Sequence, residues 1–119
     1  MTFGEFVKEK RRSLNITLRA FADELKIAPS YVSDIEKGKR NAPTQDILEA
    51  MAHVLKLNDE DKNTLFDLAA NSKNEIAKDI TEYVSDNQKV RVALRRAKEL
   101  NLGDEEWLQI IEKMMKGSK

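Results

Sequence analysis

Between Leu18 and Lys37 two short helical patterns are separated by only three residues, Lys26-Ile27-Ala28. So short a break leaves two compact helices crossing one another. Leu18, Phe21, Ala22 and Leu25 form the inner face of the first, and Val32 and Ile35 that of the second. Ala22 falls at the crossing, where a larger side chain would push the helices apart. Leu25, Ile27, Val32 and Ile35 supply the apolar contacts that lock the angle. Thr17 is placed to cap the first helix, Pro29 suits a first helical position, and Gly38 suits a left-handed stop after the second. Ser30, Tyr31, Ser33 and Asp34 are left facing away from the core.

The rest of the chain also reads as helix. No stretch alternates with a period of two, and four glycines and two prolines punctuate the sequence. Phe3, Phe6, Val7 and Leu14 share one stripe of a first helix. Thr44 is expected to cap a fourth helix with the stripe Ile47, Leu48, Met51, Val54 and Leu55. Asn58 is expected to cap a fifth, with Asp59, Glu60 and Asp61 in the first turn where the helix dipole favours carboxylates. Leu65, Phe66, Leu68 and Ala69 are its inner side. The polar run Asn71-Ser72-Lys73-Asn74 then suggests a boundary, giving units 1–72 and 73–119. Beyond it a helix carries Ile76, Ile80, Tyr83 and Val84, and another carries Val90, Ala93, Leu94, Ala97 and Leu100. Gly103 is expected to end that helix and Asp104 to cap the last, whose wide apolar face is Trp107, Leu108, Ile110, Ile111, Met114 and Met115.

Composition narrows the function classes. The chain has no cysteine, so no disulfide framework, thiolate zinc site or cysteine nucleophile is expected. A single histidine, His53, makes a histidine metal cluster or a catalytic triad hard to assemble, and it reads as structural or surface. The acids of the fifth helix are explained by capping more simply than by a metal. No Gly-rich phosphate loop accompanies the scattered carboxylates, so neither an enzyme nor a cofactor is expected. No apolar run has signal-peptide or membrane-span length, and a cytoplasmic protein without a membrane partner is expected. The net charge of zero speaks against nucleic acid only as an average. Residues 1–56 hold 10 basic and 8 acidic residues, 57–88 hold 3 and 8, and 89–119 hold 8 and 5. The pattern is a mildly basic head, an acidic middle and a basic end.

Two inward charges reinforce the N-terminal reading. Arg11 lies on the Val7–Leu14 stripe and Glu36 adjoins the Val32/Ile35 face, which suggests a partly buried structural ion pair tying the first helix to the third. An exposed short helix with a polar outer face is what a major groove accepts. At this point Thr17-Leu18-Arg19-Ala20-Phe21-Ala22, the run from Ile27 to Arg40 and then Pro43 resemble the Cro/repressor-type helix-turn-helix domain of the Xre family of bacterial and phage regulators. The resemblance covers about residues 3–70. It implies an all-α architecture: a five-helix, repressor-like DNA-binding domain, here with a C-terminal helical extension. It also implies a double-stranded DNA partner and a homodimer. By position it makes Ser30, Ser33 and Asp34 candidate base readers, with Pro29 and Tyr31 beside them. Arg19, Lys37, Lys39, Arg40 and Asn41 become candidate phosphate contacts. The chain departs from the pattern at Leu18 (often Gln), at Lys26 (usually Gly, so a left-handed backbone is needed on a lysine) and at Ala28 (usually a Ser-type cap).

The expected function is a sequence-specific transcriptional regulator, a dimeric repressor of a bacterial or mobile-element promoter, with residues 29–37 in the major groove. Trp107, Ile110, Ile111, Met114 and Met115 form its expected dimer or partner surface, since interface cores are enriched in Trp and Met. The basic segment 90–98 is expected to pack its apolar side on the terminal helix. Two alternatives stand beside this. One is the antitoxin of a toxin–antitoxin pair, holding its protein partner through the C-terminal helices. The other is an interaction scaffold that keeps the helices but does not bind DNA.

Overall fold

Local hydrogen bonding sets most of the helix boundaries in this chain, seen in a computed structural model that describes residues 1–73 and 75–117. Among the described residues there are eight helices and no strand. They are α1 (Phe3–Ser13), α2 (Leu18–Leu25), α3 (Pro29–Glu36), α4 (Gln45–Val54), α5 (Asp59–Ser72), α6 (Lys78–Asp86), α7 (Gln88–Glu99) and α8 (Asp104–Gly117). Thr2 and Glu5 form a reciprocal capping box on α1, each side chain accepting from the other's backbone N–H at 3.1 and 3.0 Å. The Thr2 backbone N–H, and then its side chain, hold the Glu5 carboxyl below the usual glutamate range. Thr17 accepts from the Ala20 N–H and Asn58 from the Asp61 N–H, as their positions predict. Thr44 and Ala28 occupy N-cap positions without a side-chain hydrogen bond, so Thr44 does not supply the cap expected of it.

The helix exits share one device. After α1, α2, α3, α4 and α7 a residue enters the left-handed region: Asn15, Lys26, Gly38, Lys56 and Asn101. In each case its N–H and the next one turn back to the last carbonyls of the helix. For α3, the Gly38 N–H reaches the Ile35 carbonyl at 3.1 Å and the Lys39 N–H reaches the Asp34 carbonyl at 2.8 Å. The residue after the left-handed position is apolar and partly buried at Ile16, Ile27, Leu57 and Leu102, but it is the exposed Lys39 after α3. Only Gly38 of these five left-handed residues is a glycine. The α7 stop is supplied by Asn101 rather than Gly103. Nor is Asp104 the α8 cap: it lies inside the first turn, while Glu106 accepts from the Gly103 N–H at 2.9 Å.

The chain divides into two compact units, Met1–Thr81 and Glu82–Lys119. In the first, α3 packs against α1 and α2, α5 against α1 and α4, and α4 also against α2. Phe21, Val32, Ile35, Met51, Leu65 and Val7 are fully enclosed at its centre. Leu14, expected on the α1 stripe, lies past the helix end and is exposed. This unit runs beyond residue 72, because Ala77 is buried in the same core while Ile76 beside it stays exposed. The division thus falls nine residues later than the polar run suggested, and α6 spans it.

In the second unit Arg91 donates to the carbonyls of Val84, at 2.8 Å, and Ser85, and Asn87 donates to that of Tyr83. These side chains satisfy acceptors left open at the end of α6. Ala97 is the buried residue of α7, and Val92, Leu94 and Leu100, for all their helical spacing, are exposed.

Candidate nucleic-acid interface

The outward helix is α3, and two contacts with α1 fix its position. Arg11 donates through Nε to Glu36 Oε2 at 2.8 Å and through Nη2 to Glu36 Oε1 at 3.0 Å. Its Nη1 donates to the Ile16 carbonyl at 2.8 Å, so the guanidinium also closes the α1 exit. Both side chains are about nine-tenths buried or more, at 10% and 4% exposure. A planar fork meeting a carboxylate on two parallel bonds fixes orientation as well as distance. Among the described residues no buried side-chain polar atom lacks a partner. The second contact is at Gly4, where an added Cβ would stand 2.4 Å from the Ile35 carbonyl oxygen and 2.6 Å from that of Glu36. The backbones of α1 and α3 therefore touch at this point. Gly4 is not among the residues the sequence singles out; the one available signal is that a glycine inside a helical pattern costs helix propensity and so calls for a packing reason.

With its inner face so held, α3 leaves Ser30 exposed and Pro29, Tyr31, Ser33 and Asp34 half-buried. Lys37, Lys39, Arg40 and Asn41 follow on the surface, and Arg19 is exposed at the start of α2. All ten residues belong to the first unit. They are not independent of one another. The Gly38 turn folds the chain back so that the Arg40 guanidinium lies over the Tyr31 ring, 5.1 Å from its centroid. Arg40 Nε stands 3.7 Å from Asp34 Oδ2, with the side chains 58% and 39% exposed. Tyr31 and Asp34 sit one helical turn apart on α3, so they share a face.

Other positions are placed elsewhere. Trp107 and Ile110 are half-buried on α8, while Ile111, Met114 and Met115 are exposed there, in the second unit. His53 is exposed near the end of α4. Among the described residues no group of three or more His, Cys, Asp or Glu is gathered as a metal would require. No helix among them is long and apolar enough to cross a membrane. A cleft of about 510 Å³ opens between α4, α5 and the start of α6, floored by Leu48, Phe66, Ala69 and Ala77.

Comparison with known proteins gives two findings. Residues 7–61 match the family model described as helix-turn-helix. Over 96% of this chain and 95% of the other, the fold is similar to that of a chain in the solved SinR protein/SinI protein complex, with a TM-score of 0.50 and 20% identity. No curated protein matches the sequence.

Proposed function

Since residues 7–61 form a helix-turn-helix domain of the Cro/repressor type, we propose that this chain is a DNA-binding transcriptional regulator acting as a dimeric repressor of a bacterial promoter. Domains of this type bind DNA and are not enzymes. One observation carries the reading. The α3 helix is pinned from behind by Arg11–Glu36, and its polar outer face runs directly into the exposed Lys37, Lys39, Arg40 and Asn41. Base readers on a helix, followed by cations that grip the backbone, suit major-groove docking, in which phosphate contacts fix register and base contacts specify. Such a regulator works in the cytoplasm, where its promoter is.

Self-association is assigned to the second unit. Leu108, Ile111, Met114 and Met115 on α8 are each about half exposed or more, a concentration of apolar surface that favours a second copy of the chain. A protein partner on the same helices is the second reading, favoured by a fold neighbour whose structure is a complex with another protein. That reading includes the antitoxin.

Affinity for random duplex measured against salt tests the DNA assignment. Log K should fall steeply with log salt, and Lys39→Ala should flatten the slope by about 1. Flat, micromolar binding at low salt favours a scaffold instead. Sedimentation equilibrium of residues 1–81 and 1–119 tests the second unit: equal monomeric masses would remove self-association from it.

A further inference from the structure

The contact between Asp34, Arg40 and Tyr31 bears on how such a site discriminates among sequences. Resting on the DNA-binding assignment above, we infer that Asp34 is a specificity-determining residue that withholds Arg40 from the phosphate backbone until its own carboxylate meets a cytosine amino group. The argument begins with charge. Arg40 is one of the cations closest to α3, yet in the free protein its guanidinium faces Asp34 Oδ2 at 3.7 Å and rests on the Tyr31 ring. The pair is neutral as a unit and adds almost nothing to the attraction for an arbitrary duplex.

The pair is also replaceable. More than half of the Arg40 side chain and over a third of that of Asp34 remain open to solvent. An exposed pair of this kind contributes little to stability, so separating it costs little. What decides the exchange is where Asp34 is left. A carboxylate is an acceptor without a donor hydrogen. In the major groove, guanine presents N7 and O6 and thymine presents O4, all acceptors that repel it. Cytosine N4 is a donor that Asp accepts from directly; adenine N6 also donates, but beside its N7 acceptor, which repels the second carboxylate oxygen. Beside cytosine, Asp34 exchanges one donor for another and Arg40 is free to turn to a phosphate. Beside guanine or thymine, the carboxylate keeps Arg40 and the phosphate contact is not made. Tyr31 holds the guanidinium plane close to the groove throughout, so little reorganisation is needed.

Replacement of Asp34 tests this on the full chain, with circular dichroism confirming the fold and Asp34→Ala as a second variant beside Asp34→Asn. Freed of its partner, Arg40 should neutralise one further phosphate of random duplex. The salt slope should then steepen by about 0.9 and affinity rise about eightfold at 0.1 M salt. In an Arg40→Ala background the change of slope should vanish. Selection from a random duplex pool should enrich cytosine at one position per half-site with the wild type and lose that enrichment with Asp34→Asn. Wild-type binding with the same slope and the same selected sequences in both Asp34 variants would overturn the inference and leave DNA binding intact. Absence of salt-dependent binding by the wild type would overturn both.

Discussion

Arg11 meets Glu36 side-on, by two hydrogen bonds of 2.8 and 3.0 Å, across the contact between α1 and α3. With both groups enclosed, removing one leaves the other buried and uncompensated. Arg11→Met or Glu36→Gln should lower unfolding free energy by about 3–5 kcal/mol in urea titration. An apolar pair at both positions should recover most of that loss. If the two single losses simply add in the double variant, the pair is not coupled as described.

Gly4 sits where the backbones of α1 and α3 touch. Alanine would gain helix propensity of about 1 kcal/mol. Its Cβ, however, would press on two backbone carbonyls, and overpacking of a tight contact costs up to about 3 kcal/mol. Gly4→Ala should therefore destabilise the protein by about 2 kcal/mol. A thermal midpoint at or above that of the wild type would contradict the contact.

Lys26 and Gly38 adopt the same left-handed backbone at the exits of α2 and α3. The conformation strains an L side chain and suits glycine. Lys26→Gly should raise stability by about 0.5–1 kcal/mol, and Gly38→Ala should lower it by about 1 kcal/mol. Nothing lies within 4 Å of a Cβ at Gly38, so its loss is conformational rather than steric. Urea midpoints moving in opposite directions would confirm the pairing of the two sites.

Ala77 makes the segment after α5 part of the first core. A fragment ending at residue 81 should have a higher unfolding free energy than one ending at 72, by about 1 kcal/mol or more for the alanine methyl and its neighbours. Identical melting curves would place the end of the folded unit at 72.

The periodicity of this sequence is enough to phase α1 to α5, because α-helical spacing decides which residues share a face. It placed Val7 and Arg11 inward on one stripe, and Val32, Ile35 and Glu36 inward on another. It also marked Thr17, Asn58 and Gly38, whose chemistry acts within a few residues. Periodicity does not reveal what covers a face, and there the reading stopped short. Leu14, Ile76 and Leu100 have apolar spacing but are exposed. The approach at Gly4 depends on residues more than 30 positions away. The lodging of Arg40 on Tyr31 and Asp34 depends on the path of a loop. Neither is encoded in a local pattern. Turn chemistry was legible in kind but not always in residue: the stop after α7 belongs to Asn101, not to Gly103.

The exit of α3 differs from its counterparts in sending a lysine, not an apolar side chain, out of the turn. The chain there is fastened at one end by backbone hydrogen bonds and at the other by the buried Ala42 and Pro43. Apart from the Lys39 backbone N–H, which belongs to the first anchorage, Lys39, Arg40 and Asn41 span the two without being part of either. Substitutions among them can redirect the grip on a nucleic acid while the core beneath goes on folding as before. In such an arrangement the choice of target can drift under selection without drawing on the stability of the scaffold.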